Sequence, residues 1–457
     1  MRKHLPLIII LVVSAVIHFV FFGYPSETVF DEVHFGKFIS GYFTHEYFFD
    51  IHPPLGKLLI SAMGYIGGFA PSFSFAQIGQ QFPDDTYIWL RLLPMIAGTL
   101  VPIFVYLLAK RLGFSNLASF SAGILISLDN ALLSQSRFIL LDLFLLLFGF
   151  SAMWAYFKYR QDDRISFLFL AGILGTLSVS VKWTGGTFLL IILILEIIAL
   201  IKVKDLGKFK KLCLPLLSLV GIPALIYFLI FAMHLGLLNK AGTGDAFMTL
   251  GFQKTLRGSI YNNDPAVKPA NLFQKFFELN FQMYKSNATL TAGHPYASKW
   301  YTWPFMARPI YYWYHAPGPT ENAPSRIYFI GNPLVWWGST VAVIYALILV
   351  IGKKNKLEQG FSRNVATLNL LLGSYFINLL PFLSIKRAMF LYHYLAASIF
   401  AILILCYLTD HLPKKKLIFG IIIGASTVSF IFLSPLTYGL PLNDASYNLR
   451  VWFPSWK

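Results

Sequence analysis

The amino-acid sequence predicts an all-α polytopic membrane protein. Of the 457 residues, 56% are hydrophobic and only 12% are charged, and the mean hydropathy is +0.63. A soluble domain carries about twice this charged fraction. Several apolar stretches approach or exceed the roughly 20 residues that a helix needs to cross a bilayer. Because backbone polar groups must be paired internally within lipid, helices are the expected spanning elements.

Eleven transmembrane spans are predicted from the positions of these apolar stretches. They cover residues 5–22, 86–109, 116–130, 137–158, 165–182, 185–201, 212–236, 332–352, 365–383, 388–409 and 416–434. Serine and glycine dilute the third and fifth stretches, which are the weakest of the set. The first stretch is long for a signal-peptide core and lacks a small-residue cleavage site, so we expect it to remain as a helix.

Basic residues between the spans predict the orientation of the chain. Clusters such as Arg2-Lys3, Lys110-Arg111 and Lys414-Lys415-Lys416 alternate with short turns that carry few cations. The positive-inside rule therefore predicts a cytoplasmic N-terminus and a C-terminus outside the cytoplasm. The formal net charge of +17 is explained by these loops, which argues against nucleic acid as a partner.

Two long segments, residues 23–85 and 237–331, fall on the outer side of this topology. Pro53-Pro54 favours a helix start, so a short surface helix is predicted from Pro53 towards Tyr65. A second surface helix is predicted from His34 to Phe43. No soluble domain is appended, so we expect a single domain over residues 1–457.

Two adjacent acids, Asp31 and Glu32, directly follow the first span. A carboxylate at the outer membrane face can act as a general base on an incoming hydroxyl. The pair could instead cap the following helix or interact with its dipole. The residues alone leave both interpretations open.

Basic side chains are also predicted to gather near the outer leaflet, where charges are costly and usually have a task. The candidates are Arg91, Arg137, Lys182, Arg387, His52 and His393. Such a group could hold a lipid-linked phosphate, since phosphate in a low-dielectric setting needs cationic partners. The alternatives are ion pairs between helices, such as Arg137 with Asp142, and a purely structural turn at His52. Glu196 is different, because it lies deep in an apolar stretch and needs protonation or a partner.

The second long segment is rich in aromatic residues. His294, Tyr296, Trp300 and Trp303 could form an aromatic belt at the membrane interface, which is common. They could also form a wall that binds sugar or acceptor, because aromatic faces stack on sugar C–H surfaces. The sequence contains no convincing metal-ligand cluster, so neither a metal nor another cofactor is predicted.

Several of these motifs together resemble the protein O-mannosyltransferases, a membrane glycosyltransferase family of the GT-C architecture. The resemblance rests on Asp31 to Gly36, His52 to Leu58, Arg91 to Pro94, Arg137 to Asp142, Val181 to Gly185, His294 to Pro304, Gly331 to Trp337, Phe390 to Tyr394 and Ser434 to Gly439. These motifs occur in family order over nearly the whole chain.

The resemblance implies inverting transfer of mannose from a polyprenyl-phosphate carrier to Ser or Thr hydroxyls of proteins outside the cytoplasm. Asp31 matches the family's catalytic acidic residue, and Arg91 matches a basic residue associated with the carrier phosphate. The lipid-linked sugar is then a substrate, and the protein is expected in the plasma membrane. Segment 237–331 has no room for the MIR domain that eukaryotic members insert there, so the chain resembles the compact prokaryotic type.

Two other functions remain open at this stage. A related GT-C enzyme could move another polyprenyl-linked sugar, such as aminoarabinose, onto a lipid acceptor. A transporter or flippase would carry charges at the bilayer midplane and repeated halves. The charges of this chain instead gather at the predicted outer face, which disfavours transport.

Overall fold

The computed structural model describes residues 4–201, 213–291, 293–319, 322–352 and 362–457. Its helices are α1 (Leu5–Phe19), α2 (Glu32–Thr44), α3 (Leu55–Ile66), α4 (Tyr87–Arg111), α5 (Asn116–Ser127), α6 (Asn130–Ser136), α7 (Asp142–Asp162), α8 (Ile165–Val181), α9 (Gly186–Ile201), α10 (Cys213–Leu237), α11 (Leu250–Gln253), α12 (Leu272–Thr289), α13 (Pro333–Gly352), α14 (Ser362–Leu379), α15 (Leu395–Asp410), α16 (Lys415–Tyr438) and α17 (Asp444–Asn448). The described residues also contain two strands, β1 (Ile310–His315) and β2 (Ser325–Phe329), and several short 3₁₀ helices.

A helix lies at the position of every predicted span. Among the described residues, six helical segments are long and apolar enough to cross a membrane: Tyr87–Arg111, Cys213–Leu237, Pro333–Gly352, Val365–Ser384, Leu391–Asp410 and Lys415–Tyr438. Helices α5 and α6 form a further candidate span that is bent by 57°. The prediction of a multi-pass helical membrane protein is confirmed.

Small residues bring the helices of the bundle close together. At Gly172 of α8, an added Cβ would lie only 1.8 Å from the carbonyl oxygen of Ser218 in α10. At Gly149 of α7, it would lie 2.3 Å from the ring of Phe188 in α9. Close backbone approach at small residues is a common mode of helix packing in membranes. These contacts fix helices α7 and α8, which place Asp142 and Lys182 next to each other.

The first long segment contains the two short helices predicted from its sequence. Helix α2 runs over Glu32–Thr44 and α3 over Leu55–Ile66, immediately after Pro54. The two helices pack against each other, and α3 also packs on α4 and α8. This packing sets Asp31, the residue before α2, at the end of the bundle that also carries Asp142 and Lys182.

The second long segment contains an antiparallel strand pair that the sequence analysis did not predict. Ile310 pairs with Phe329, and His315 pairs with Ser325. Aromatic side chains favour strands, and Tyr312 and Trp313 of β1 are buried. The aromatic run therefore contributes to the protein core as well as to its surface.

Candidate active site

Asp31 occupies the residue before α2, but its side chain makes no capping hydrogen bond to that helix. No hydrogen bond or ion pair to its carboxylate occurs within the described residues. The preceding residue, Phe30, has a φ of +47°, in the left-handed region that non-glycine residues rarely adopt. Such strain persists only where the surroundings impose it, and it is common at functional sites. The backbone that leads into Asp31 is thus constrained, and the carboxylate oxygens have no hydrogen-bonding partner among the described residues.

Burial raises the pKa of Asp31 to about 7. The positive charge of Lys182 lowers this pKa, and the negative charges of Asp142 and Asp50 raise it. A carboxyl group with a pKa near neutrality is suited to accept a proton in a reaction at physiological pH.

Glu32 has a different environment from Asp31, although the two are adjacent. Its carboxylate oxygens lie 2.8 Å from Nε and 2.7 Å from Nη2 of Arg91, and both side chains are fully buried. Glu32 also accepts hydrogen bonds from the backbone N–H groups of Val29 and Ile139, at 2.8 Å and 2.9 Å. Glu32 is therefore saturated by protein partners, and its role in this geometry is structural.

The environment of Arg91 contradicts the prediction that it contacts the donor phosphate. Besides Glu32, its guanidinium donates to the carbonyl oxygens of Gly23, Pro25 and Glu27 at 2.6–2.7 Å. These bonds use the five N–H donors of an arginine. Arg91 fastens the segment before Asp31 to helix α4, so any effect on the reaction passes through the position of that segment.

Arg137 is likewise committed to the protein backbone. Its guanidinium donates to the carbonyl oxygens of Val20, Phe21 and Tyr24 at 2.9–3.0 Å, and it lies over the ring of Tyr438. The predicted contact with phosphate is wrong in this geometry, and so is the alternative ion pair with Asp142. Arg137 instead fastens the segment that follows α1 by donating to its backbone carbonyl groups.

Lys182 forms the ion pair with Asp142 that the sequence analysis assigned to Arg137. Nζ of Lys182 lies 2.8 Å from Oδ1 and 3.0 Å from Oδ2 of Asp142. The ammonium group also lies 5.2 Å from the ring centroid of Tyr392. Lys182 directly follows α8 and Asp142 begins α7, so the packing of these two helices creates the pair.

Two adjoining cavities meet at Lys182, and together we call them the basic pocket. The outer cavity has a volume of about 500 Å³, and the apolar cavity beside it has a volume of about 230 Å³. Both are lined by Lys182, Trp183, Thr184, Phe382 and His393. The outer cavity adds the basic side chains His52, Lys386 and Arg387. The predicted gathering of Lys182, Arg387, His52 and His393 therefore occurs in the structure.

The basic residues of the pocket differ in their charge and in the hydrogen bonds and ion pairs that they form. Within the described part of the chain, the guanidinium of Arg387 has no hydrogen bond or ion pair. Burial lowers the pKa of Arg387, although a guanidinium remains protonated at neutral pH. Burial and the charges of Lys182 and Arg387 hold the pKa of His52 well below its usual range. His52 is therefore a neutral hydrogen-bonding group, while Lys182 and Arg387 supply positive charge.

The segment that carries His52 is clamped by Lys57. The ammonium of Lys57 forms an ion pair with Asp50 and donates to the carbonyl oxygens of His52 and Pro53, at 3.0 Å and 3.2 Å. Lys57 is fully buried, so it is inaccessible to a phosphate. The His52–Lys57 motif thus combines a structural turn with a histidine that reaches the basic pocket.

The four predicted wall residues lie outside the lining of the basic pocket. Trp303 is fully buried, and its ring stacks on His393 with a centroid distance of 5.8 Å. A direct substrate contact of Trp303 is therefore wrong, because the residue supports His393 from behind. His294 packs against Phe390, and a sugar contact of His294, Tyr296 or Trp300 stays a prediction.

The buried carboxylate of Glu196 has hydrogen-bonding partners in the structure. Glu196 accepts hydrogen bonds from Tyr156 at 3.0 Å and from Arg160 at 3.2 Å, which supplies the partner that its burial requires.

Gln135, which the sequence analysis did not single out, donates to Asp142 at 2.6 Å. A lone glutamine in an apolar stretch was the signal that could have identified it. Among the described residues, no group of three or more His, Cys, Asp and Glu side chains is arranged to hold a metal ion.

Two sequence profiles of protein families match the chain. The profile described as dolichyl-phosphate-mannose-protein mannosyltransferase matches residues 8–239. The profile described as the C-terminal four TMM region of protein-O-mannosyltransferase matches residues 272–456. Between them they cover the chain except for residues 1–7, residues 240–271 and the last residue.

Curated proteins with similar sequences carry related names. The chain is 35% identical over 252 residues to dolichyl-phosphate-mannose-protein mannosyltransferase 1 of Candida albicans, a match that covers 52% of this chain and 29% of the relative. It is 34% identical over 254 residues to protein O-mannosyl-transferase 1 of Mus musculus, covering 52% of this chain and 34% of the relative. The matched region therefore amounts to about a third of the length of these relatives.

Solved structures share the fold. A chain of the Saccharomyces cerevisiae protein O-mannosyltransferase Pmt1-Pmt2 complex bound to the sugar donor matches with a TM-score of 0.92 and 20% identity, covering 100% of this chain and 93% of that chain. The Archaeoglobus fulgidus oligosaccharyltransferase matches with a TM-score of 0.55 and 14% identity, covering 99% of this chain and 57% of that chain. At these identities the likeness shows the fold alone, and it agrees with the predicted GT-C architecture.

Proposed function

The chain belongs to the dolichyl-phosphate-mannose-protein mannosyltransferase family, and from this membership we propose that it transfers mannose from a polyprenyl-phosphate carrier to Ser or Thr hydroxyls of proteins. The observation that carries the proposal is the pairing of an available carboxylate with a basic pocket. Asp31 has oxygens free of protein partners, and the charge of Lys182 in the pocket acts on its pKa. This arrangement provides a proton acceptor and a site for an anionic leaving group.

Asp31 acts as the general base in this proposal. It takes the proton of the acceptor hydroxyl as the hydroxyl oxygen bonds to the anomeric carbon of mannose. The bond between that carbon and the phosphate oxygen breaks, and the electron pair leaves with the carrier phosphate. Because attack and departure occur on opposite faces, the anomeric configuration inverts, as in single-displacement reactions of sugars.

The basic pocket stabilises the carrier phosphate in this proposal. Arg387 has unused N–H donors, and Lys182 is held by Asp142 at the junction of the two cavities. Cationic groups aimed at developing charge in a partly dry site are effective because they need no reorganisation during the reaction. His52 and His393 add neutral donors or acceptors to the phosphate or sugar. A phosphate is already a good leaving group, so the proposed chemistry uses neither a metal nor another cofactor.

The proposed reaction occurs at the outer face of the plasma membrane. The eleven spans of this proposal come from the apolar stretches of the sequence, and the distribution of basic residues supports a cytoplasmic N-terminus and an outer C-terminus. This topology puts Asp31, His52 and Arg387 on the same outer side. Labelling of single cysteines introduced into the loops of intact cells would test the orientation.

The direct test uses purified protein in lipid nanodiscs with polyprenyl-phosphate mannose and a peptide that contains Ser or Thr. Mass spectrometry should show a gain of one hexose on the peptide, and a peptide with alanine at those positions should remain unchanged. Sugar transfer to a lipid acceptor with none to the peptide would overturn the proposal in favour of the related GT-C activity.

A further inference from the structure

We propose that Gln135 is a positioning residue that couples the segment bearing Asp31 to the Lys182–Asp142 pair. The inference rests on the proposed function, in which Asp31 is the general base and Lys182 helps to stabilise the carrier phosphate. Gln135 lies on the short helix α6 and is 1% exposed. It touches neither cavity of the basic pocket, so it can influence the reaction only through its neighbours.

The hydrogen bonds of Gln135 fix the orientation of its side-chain amide. Nε2 donates to Oδ2 of Asp142 at 2.6 Å, and Oε1 accepts from the hydroxyl of Tyr312 at 2.5 Å. A carboxylate can only accept and the tyrosine hydroxyl here donates, so the reverse orientation would face Asp142 with a second acceptor. The site therefore requires one donor and one acceptor in a single rigid group, which is what a glutamine amide provides.

The Tyr312 end of this connection leads to Asp31. The ring of Tyr312 stacks on Phe30 with a centroid distance of 4.1 Å and an interplanar angle of 9°. The backbone N–H of Phe30 donates to the carbonyl oxygen of Tyr312 at 3.2 Å. Phe30 is the residue with the left-handed backbone that directly precedes Asp31. Holding Tyr312 in place thus holds the strained turn that directs the carboxylate of Asp31.

The Asp142 end of the connection leads to the basic pocket. One oxygen of Asp142 accepts from Gln135, and both oxygens accept from Nζ of Lys182. With the carboxylate held from behind, the ammonium of Lys182 is kept at the junction of the two cavities. Gln135 consequently fixes the separation between the proposed base and a proposed phosphate ligand, and an error of about 1 Å in such a separation can cost 100-fold in rate.

The first experiment compares Gln135→Met with Ser134→Ala in the full-length protein. Ser134 lies on the same helix, is equally buried and donates to the carbonyl of Tyr328 at 3.0 Å, so its variant also loses one buried hydrogen bond. We expect Gln135→Met to lower kcat by about 10- to 100-fold with less than a twofold change in the acceptor KM. Ser134→Ala should retain wild-type kcat, and both variants should have similar melting temperatures. Equal kcat for the two variants would overturn the inference.

A second experiment separates coupling from a general loss of packing. Gln135→Met, Tyr312→Phe and the double variant form a mutant cycle for kcat. If the two residues act through each other, the double variant should be about as slow as the slower single variant. Multiplying effects would show independent roles and would overturn the coupling.

A third experiment uses the protonation of an isosteric replacement. In Gln135→Glu, a protonated carboxyl can donate to Asp142 and accept from Tyr312, whereas an ionised carboxyl repels Asp142. The charged groups that act on Asp31 itself are Lys182, Asp142 and Asp50, and they are common to both proteins. The kcat ratio of Gln135→Glu to wild type should therefore fall as pH rises, and a constant ratio would contradict the inference. If the wild type transfers no mannose, the proposed function itself is refuted and this inference with it.

Discussion

Two parallel hydrogen bonds join Glu32 to Arg91, with Oε1 2.8 Å from Nε and Oε2 2.7 Å from Nη2. Because of this bidentate pair, the adjacent acids Asp31 and Glu32 have different roles. Glu32 is tied to α4 and anchors the start of α2, and Asp31 is left with an available carboxylate. A chemically reactive group is positioned more accurately when its neighbour is part of the rigid scaffold.

Replacing Asp31 by asparagine should remove the proposed general base while preserving the shape of the side chain. We expect Asp31→Asn to lower kcat by a factor of about 10² to 10⁴, which is the usual contribution of general base catalysis. Donor binding should change little, because the carboxylate is not part of the basic pocket. The measurement is transfer to a Ser/Thr peptide together with donor affinity in nanodiscs. Wild-type turnover by this variant would refute the assignment of Asp31.

The rate should depend on pH through the titration of Asp31, whose pKa is about 7 because of burial. Only the ionised carboxylate accepts a proton, so kcat/KM should fall as pH drops below 7 and should level off above it. Asp50→Asn removes a negative charge that raises this pKa, and its profile should shift to lower pH. A profile that is flat from pH 5.5 to 8.5 in the wild type would contradict the proposed base.

Removing Arg91 should damage the fold before it affects donor binding. Arg91→Ala leaves the carboxylate of Glu32 buried without a cationic partner, and breaking such a pair costs about 3–5 kcal/mol of unfolding free energy. Arg164→Ala removes an exposed arginine and should cost less than 1 kcal/mol. Thermal unfolding of the two variants measures the difference. A stable Arg91→Ala protein with a raised donor KM would restore the phosphate contact that the sequence suggested.

Arg387 should contribute to donor affinity through its unused N–H donors. A charge-assisted hydrogen bond contributes about 1.5–3 kcal/mol, so Arg387→Ala should raise the donor KM by about 10- to 100-fold. Arg387→Lys keeps the charge but loses the bidentate geometry, and we expect an intermediate value. Lys268→Ala removes an exposed cation from the second long segment, residues 237–331, and serves as the control. A donor KM for Arg387→Ala equal to that of the control would show that the phosphate binds elsewhere.

The sequence predicted the helices well because apolar stretches and basic loops are local signals. It also singled out Asp31 and Lys182 as candidates, because both follow apolar stretches, and their roles stay predictions. It did not predict which cation joins which acid, because such pairs depend on helix packing. Arg137 lies five positions before Asp142 but turns towards α1, and the partner of Asp142 is Lys182 at the end of α8.

The roles of two buried residues, Trp303 and Gln135, show a second limit of prediction from sequence. Trp303 is a residue type that often contacts sugars, yet its ring is buried and stacks on His393. Gln135 stands out in the sequence as a lone glutamine in an apolar stretch, but its partner Tyr312 comes from β1, far along the chain. Burial and the contacts between distant segments decide these roles, and neither is encoded in residue type or spacing.

The stacking of Tyr312 on Phe30 has a consequence for biogenesis. A ribosome completes the N-terminal segment long before it synthesises the strand that supports it. Until that strand has folded, Arg91 and Glu32 are in place to hold the segment before Asp31, but the turn lacks the ring and the backbone carbonyl of Tyr312. We therefore expect a nascent or truncated polypeptide to hold Asp31 less accurately than the finished chain, in which the two halves meet.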